Sequence, residues 1–144
     1  MTTQEKNIEI AKMLGAVREE WYPSNKDTGS TGIYFAMPQK QYFPNGERYC
    51  GDTFLKFDTD ANWQFEAIDW VEKQGYNVHI NSDYWYNDED DTVDKTKFQH
   101  LCCILQRYSI VINSAGHGKD DRTDKKKAIF EALFQFSQYL KQKK

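Results

Sequence analysis

Residues 58–80, DTDANWQFEAIDWVEKQGYNVHI, contain a helix, the signals that begin and end it, and the strand that follows. The acidic and hydroxyl side chains at 58–60 can cap the start of a helix. The two carboxylates also interact favourably with the positive end of the helix dipole. The predicted helix covers about residues 60–74 and places its apolar side chains on one face, namely Trp63, Ala67, Trp70 and Val71. Gly75 suits the left-handed conformation that ends a helix. Apolar and polar residues then alternate over 76–80, which predicts a strand buried on one face.

Two further helices are predicted near the ends of the chain. The first covers about residues 3–14, begins at Thr2 or Thr3 and ends at Gly15, and its apolar stripe comprises Ile10, Met13, Leu14 and Val17. The second covers about residues 123–141, and its stripe comprises Ile129, Leu133, Phe136 and Leu140. Acidic residues precede this last helix and lysines end it, as the helix dipole favours.

The remaining strand signals are shorter. Residues 33–37 form a strand candidate that ends at Pro38, and Asn45-Gly46 between aromatic flanks favours a hairpin turn. Residues 54–57 are predicted to be a further extended piece. Residues 98–112 are rich in β-formers and make either one long bent strand or two strands around 106–108. The sequence does not distinguish these two forms, because no Gly, Pro or Asn marks a turn there.

These elements predict an α+β fold in which helices pack on a small, mostly antiparallel sheet, an α/β sandwich. The length of 144 residues fits a single domain over residues 1–144. Two stretches are interpreted as insertions. One is a loop and hairpin at about 23–52, and the other is an acidic insertion at about 82–97 that forms a long loop or a ribbon extension.

Aromatic residues make up 15% of the chain, which argues against a disordered protein. Charge is strongly segregated, since residues 58–94 contain 11 acidic side chains and one basic one, whereas residues 95–144 contain 11 basic and 4 acidic ones. Such polarity is typical of a partner-facing surface. The alternative is that the two regions neutralise each other within one fold or between subunits.

The acidic insertion also contains three consecutive aromatic residues, Tyr84, Trp85 and Tyr86. Consecutive side chains on a strand cannot all face one core, so part of this aromatic surface is expected to be exposed or covered by another chain. We predict a protein-binding site formed by these residues and by the neighbouring acids Asp88, Glu89, Asp90 and Asp91. The alternative is a solvated acidic loop.

The sequence indicates no catalytic residues, metal or cofactor. The cysteines and histidines lack the spacing of a zinc site, and the acidic tract lacks the EF-hand pattern. The two glycines before Lys119 do not form a P-loop. If the chain instead binds a nucleotide, phosphate contacts are expected from Arg107, Lys119 and Arg122, with base stacking on aromatic residues.

Three segments resemble small bacteriophage and prophage proteins. They are IEIAKMLG at 8–15, LKFDTD at 55–60 with the helix that follows, and KKAIFEA at 126–132 with its continuation to Tyr139. Together they are similar to the phage ABA sandwich domain family over about residues 8–15, 54–81 and 100–141. The resemblance implies a small α/β sandwich encoded by a phage or an integrated element, and it brings no catalytic motif to this chain.

We therefore expect a non-catalytic bacteriophage accessory protein that binds and inhibits a host protein, such as a defence component, in the cytoplasm of the infected bacterium. A basic, nucleic-acid-binding host protein would suit the acidic insertion. Direct binding to nucleic acid or to a membrane is not expected, and a homo-oligomer is left open. The alternatives are a binder that sequesters a nucleotide signal, and an enzyme whose catalytic residues lie far apart in the sequence.

Overall fold

The computed structural model of the chain describes residues 1–23, 27, 31–87, 90–118 and 121–143, with the backbone alone at 82–87, 93–99, 115–118 and 121–124. In chain order, its elements are α1 (Thr3–Met13), β1 (Val17–Glu20), β2 (Ile33–Ala36), β3 (Tyr49–Gly51), a 3₁₀ turn (Asp52–Phe54), α2 (Ala61–Lys73), β4 (Asn77–Asn87), β5 (Thr92–Gln106), β6 (Ser109–Gly118) and α3 (Asp121–Gln142).

The strands form two antiparallel three-stranded sheets, β1-β2-β3 and β4-β5-β6. The α+β class and the antiparallel pairing are confirmed, but the strands divide between two sheets. β1, which the sequence did not indicate, pairs with β2 in the first of them. Val17 begins this strand and is 63% exposed. Its predicted place on the apolar face of α1 is therefore wrong, since that helix ends at Met13 and Gly15 turns the chain at a φ of +106°.

The three predicted helices are confirmed, with ends that differ from the prediction by at most two residues. The Thr2 hydroxyl accepts a hydrogen bond from the Glu5 amide at 3.1 Å and caps α1. The Asp60 carboxylate accepts one from the Asn62 amide at 2.9 Å and caps α2. Gly75 follows α2 at a φ of +95°, a conformation in which a β-carbon is strained. The capping residues therefore fix where the helices begin and end.

The connection between β2 and β3 differs from the predicted hairpin. The Gly46 amide donates to the Phe43 carbonyl at 2.8 Å, so Asn45-Gly46 does form a turn. That turn lies within the loop between the two strands and does not join them directly. The Phe43 side chain, at the start of the turn, is buried in the core. The prediction of an extended piece at 54–57 is also wrong at its start, since Phe54 belongs to the 3₁₀ turn.

Residues 98–112 form two strands, which settles the alternative that the sequence left open. β5 ends at Gln106, and β6 begins at Ser109 after a turn of Arg107 and Tyr108. The turn is built on Arg107, which takes a φ of +58°. This is an uncommon conformation for a residue other than glycine, so the sequence did not mark the turn.

α3 packs along β5 and β6, while α1 and α2 pack against α3. Their apolar faces meet in one buried cluster, whose most deeply buried large side chains include Phe35, Phe57, Ile104, Leu133 and Phe136. The Lys143 ammonium donates to the Tyr76 hydroxyl at 3.2 Å. This contact brings the end of α3 to the start of β4, so α3 runs the length of the sheet. No helix in the described part of the chain is long and apolar enough to cross a membrane.

Candidate protein-binding surfaces

The acidic insertion is the end of a two-stranded ribbon. β6 pairs with β5 as far as the partners Gly118 and Phe98. β4 and β5 pair further, through Trp85 with Asp94 and on to Asn87 with Thr92, after a shift of register next to Tyr84. Of the two forms predicted for 82–97, the backbone is therefore the ribbon extension, and it continues past the last residue of the third strand.

Two of the acidic residues, Asp90 and Asp91, lie at the tip of the ribbon. Asp90 and Asp91 are exposed, and the Asp90 carboxylate accepts a hydrogen bond from the Thr92 amide at 3.2 Å. Asp91 has a φ of +57°, which helps the chain to reverse. Asp88 and Glu89 lie outside the described residues, and the predicted contacts of the side chains at 84–86 do too. The backbone of the predicted binding site is thus described at 84–86, 90 and 91, while the contacts of its aromatic side chains stay a prediction.

An exposed aromatic surface lies on the β1-β2-β3 sheet, where the sequence did not predict one. We call it the aromatic patch and define it by Trp21, Tyr22, Tyr34 and Tyr49. The Trp21 ring stacks on Tyr34 with centroids 4.3 Å apart, and its edge meets Tyr49 at 5.0 Å. The Trp21 and Tyr22 side chains are 47% and 45% exposed. Large rings that stack on each other and still face solvent resemble the anchors of protein interfaces.

Polar contacts hold the rings of the aromatic patch in place. The Trp21 indole N–H donates to the Glu19 carboxylate at 2.9 Å. The hydroxyls of Tyr22 and Tyr34 lie 2.6 Å apart, and this hydrogen bond, together with burial, raises the pKa of Tyr34. The Arg48 guanidinium lies 5.3 Å from the centre of the Tyr49 ring. These contacts restrict the rings to one arrangement, and a surface ordered in this way loses less entropy when it binds another molecule.

Strand alternation explains why these rings face outward. Phe35 and Cys50 are buried, whereas their chain neighbours Tyr34 and Tyr49 point to the other face of the sheet. Tyr34 also pairs with Glu19 of β1. The alternation was present in the sequence, but without β1 it did not indicate that the rings would meet.

Gly32 supports the aromatic patch and provides a test of its geometry. It has a φ of +71°, and a β-carbon there would lie 1.8 Å from the Tyr22 carbonyl oxygen. Gly32→Ala is expected to displace the adjoining rings, to cost about 1–2 kcal/mol of unfolding free energy and to weaken the near-UV circular dichroism of the stacked rings. Gly46→Ala is the matched control, because its φ is +86° but no atom lies within 4 Å. Equal spectra for both variants would contradict this role.

Two of the three residues predicted to contact phosphate, Arg107 and Arg122, do not share a site. Arg107 is exposed in the turn before β6, whereas Arg122 lies in the first turn of α3, beyond the other end of that strand. β6 has 10 residues, so about 30 Å separates its ends. Lys119 lies outside the described residues. One phosphate group therefore cannot contact both arginines.

Two of the three cysteines, Cys50 and Cys102, are poor nucleophiles because they are buried. Burial raises the pKa of Cys50 to about 11 and that of Cys102 to about 12. The Cys103 thiol lies on the opposite face of β5 and donates to the Asn113 side-chain oxygen at 3.3 Å. Among the residues that the structure describes, no three histidine, cysteine, aspartate or glutamate side chains come together as a metal site would require.

No family model, curated protein or solved structure matches this chain. The resemblance to the phage ABA sandwich domain therefore stays a prediction.

Proposed function

We propose that this chain is a bacteriophage accessory protein that binds and inhibits a host protein, such as a defence component, without catalysing a reaction. The observation that carries the proposal is the aromatic patch, in which four rings are held in contact at the protein surface. The resemblance to phage proteins supports the phage origin, and with it the cytoplasm of the infected bacterium as the location.

The charge of the ribbon supports a basic partner. Asp90 and Asp91 are exposed at its tip, and residues 83–94 contain six acidic side chains and no basic one. Such a surface attracts basic proteins, including those that bind nucleic acid, and speeds their association. The aromatic patch would then supply affinity, whereas the ribbon would supply selection by charge.

Affinity capture from bacterial lysate tests the proposal. The bait proteins are the natural chain, a Trp21→Ala/Tyr49→Ala variant, an Asp90→Asn/Asp91→Asn variant and a Tyr108→Ala control. Tyr108 is a suitable control because it is fully exposed and lies in the turn before β6, outside the patch. We expect the natural chain and the control to retain a basic host protein, and both double variants to retain at least tenfold less.

The purified host protein then allows the inhibition to be measured. Its activity is expected to fall when the natural chain is added and to be retained with the Trp21→Ala/Tyr49→Ala variant. Capture of the same proteins by all four baits would contradict the proposal, as would a partner whose activity the chain leaves unchanged. The nucleotide-binding and enzymatic alternatives are not favoured by any specific observation among the described residues.

A further inference from the structure

A lysine-rimmed groove lies between α1, the end of α2 and the end of α3. It has a volume of about 640 Å³, within the range of small-molecule sites. The partly buried side chains of Met13, Trp70 and Leu140 form its apolar part. The charged residues of its wall are Glu9, Lys12, Lys141 and Lys143. None of these residues belongs to the ribbon or to the aromatic patch.

The one carboxylate of this wall is already neutralised by lysines. Glu9 forms ion pairs with Lys141 and with Lys12, and its carboxylate also accepts from the Gln138 amide at 3.4 Å. Burial by itself would raise the pKa of Glu9, but these neighbours lower it overall. Glu9 is therefore ionised at neutral pH. Counted over the side chains of the wall alone, three ammonium groups against one carboxylate give a positive excess.

Lys143 is fixed at the rim by two tyrosines. Its ammonium donates to the Tyr76 hydroxyl at 3.2 Å and lies 5.8 Å from the ring centres of both Tyr76 and Tyr139. The hydrogen bond to Tyr76 raises the pKa of Lys143, so the group stays charged. An anion at this rim would bind to an ammonium group whose position is already restricted, so less conformational entropy would be lost on binding.

The chemistry of the wall selects a simple amphipathic anion. Ser137, the neutral polar side chain of the lining, donates its hydroxyl to the Phe134 carbonyl of its own helix. The groove therefore offers apolar surface and positive charge rather than the directional donors and acceptors that read the edge of a nucleobase. We propose that it binds a small molecule that carries an apolar acyl or aryl body and a carboxylate or phosphate head group. This inference does not rest on the proposed protein partner.

Calorimetric titration with decanoate, decyl phosphate and 1-decanol tests the site, each ligand being kept below its aggregation limit. The two anions have the proposed chemistry with different head groups, and the alcohol has the same tail without charge. Both anions are expected to bind at least tenfold more tightly than decanol, and higher salt is expected to weaken the anions alone. Equal binding of anion and alcohol would overturn the proposal.

Variants locate the binding in the groove. Lys12→Gln/Lys143→Gln is expected to weaken decanoate about tenfold and to leave decanol unchanged. The matched control is Lys56→Gln/Lys125→Gln, which removes two exposed lysines near the starts of α2 and α3, away from the groove. Leu140→Ala is expected to weaken all three ligands, because it removes apolar surface of the groove.

Three further outcomes would overturn the inference. The first is an equal loss of decanoate affinity in the two double lysine variants, and the second is tighter binding of adenosine monophosphate than of decanoate. The third is displacement of decanoate by self-association of the chain at high concentration. The last result would assign the groove to a second copy of the protein. Sedimentation of the free and decanoate-bound chain distinguishes that case, and circular dichroism confirms that every variant is folded.

Discussion

Phe136→Ala is expected to lower the unfolding free energy by about 3–5 kcal/mol, the largest effect of any single change considered for this protein. Phe136 is fully buried in α3, and its ring meets the edge of Tyr76 at 4.8 Å and stacks with Tyr139 at 5.9 Å. Alanine would remove these contacts and leave a cavity where α3 crosses the start of β4. A domain of this size has only about 5–15 kcal/mol of stability, so the variant would be close to unfolding.

Urea denaturation followed by far-UV circular dichroism measures this loss. Phe65→Ala is the matched control, because Phe65 lies on α2 and is 55% exposed. Its unfolding free energy is expected to stay within about 0.5 kcal/mol of the natural chain. A loss of less than about 1 kcal/mol for Phe136→Ala would show that α3 does not close the core as described.

Asn7→Leu is expected to cost about 2–3 kcal/mol, through lost hydrogen bonds rather than lost volume. The Asn7 side chain is buried, and its oxygen accepts from the Phe57 amide at 2.8 Å. Its nitrogen donates to the Asp58 carboxylate at 3.0 Å and to the Thr3 carbonyl at 3.3 Å. Leucine would fill similar space but leave the amide of the fully buried Phe57 without this acceptor, so α1 would lose its polar link to the segment before α2.

Chemical denaturation again gives the free energy, and Asn62→Leu is the control. Asn62 is exposed on α2, where its side chain is not needed to satisfy a buried group. The control is expected to unfold within about 0.5 kcal/mol of the natural chain. If the two asparagine variants were equally stable, the buried hydrogen bonds of Asn7 would not contribute to the fold as inferred.

The sequence predicted the helices well because their signals are local. Caps such as Asp60, terminators such as Gly75 and stripes that repeat every three or four residues can each be read within one segment. β1 has no such signal, since Val17–Glu20 contains one apolar residue and three charged ones. It is a strand because β2 offers a partner, and pairing between distant segments is not encoded in either segment alone.

The candidate binding surfaces show the same limit of sequence-based prediction. The sequence drew attention to residues 82–97 because their acids and aromatics are consecutive, but it left a loop and a ribbon open. The aromatic patch was missed because Trp21, Tyr34 and Tyr49 come from separate parts of the chain and meet only after three strands have paired. Arg107 and Arg122 show the opposite case. They are close in the sequence, but the strand between them is long enough to hold them apart in space.

The outer edge of the ribbon has a consequence for self-recognition. In the described part of the chain, β4 has one strand neighbour, so its other side presents unpaired amide and carbonyl groups. Such an edge can accept hydrogen bonds from a further strand, and every other copy of the chain has the same edge. Two copies paired in parallel would place their acidic tips, including Asp90 and Asp91, side by side. Like charge would disfavour that pairing, whereas a strand that carries lysine or arginine would meet no such repulsion.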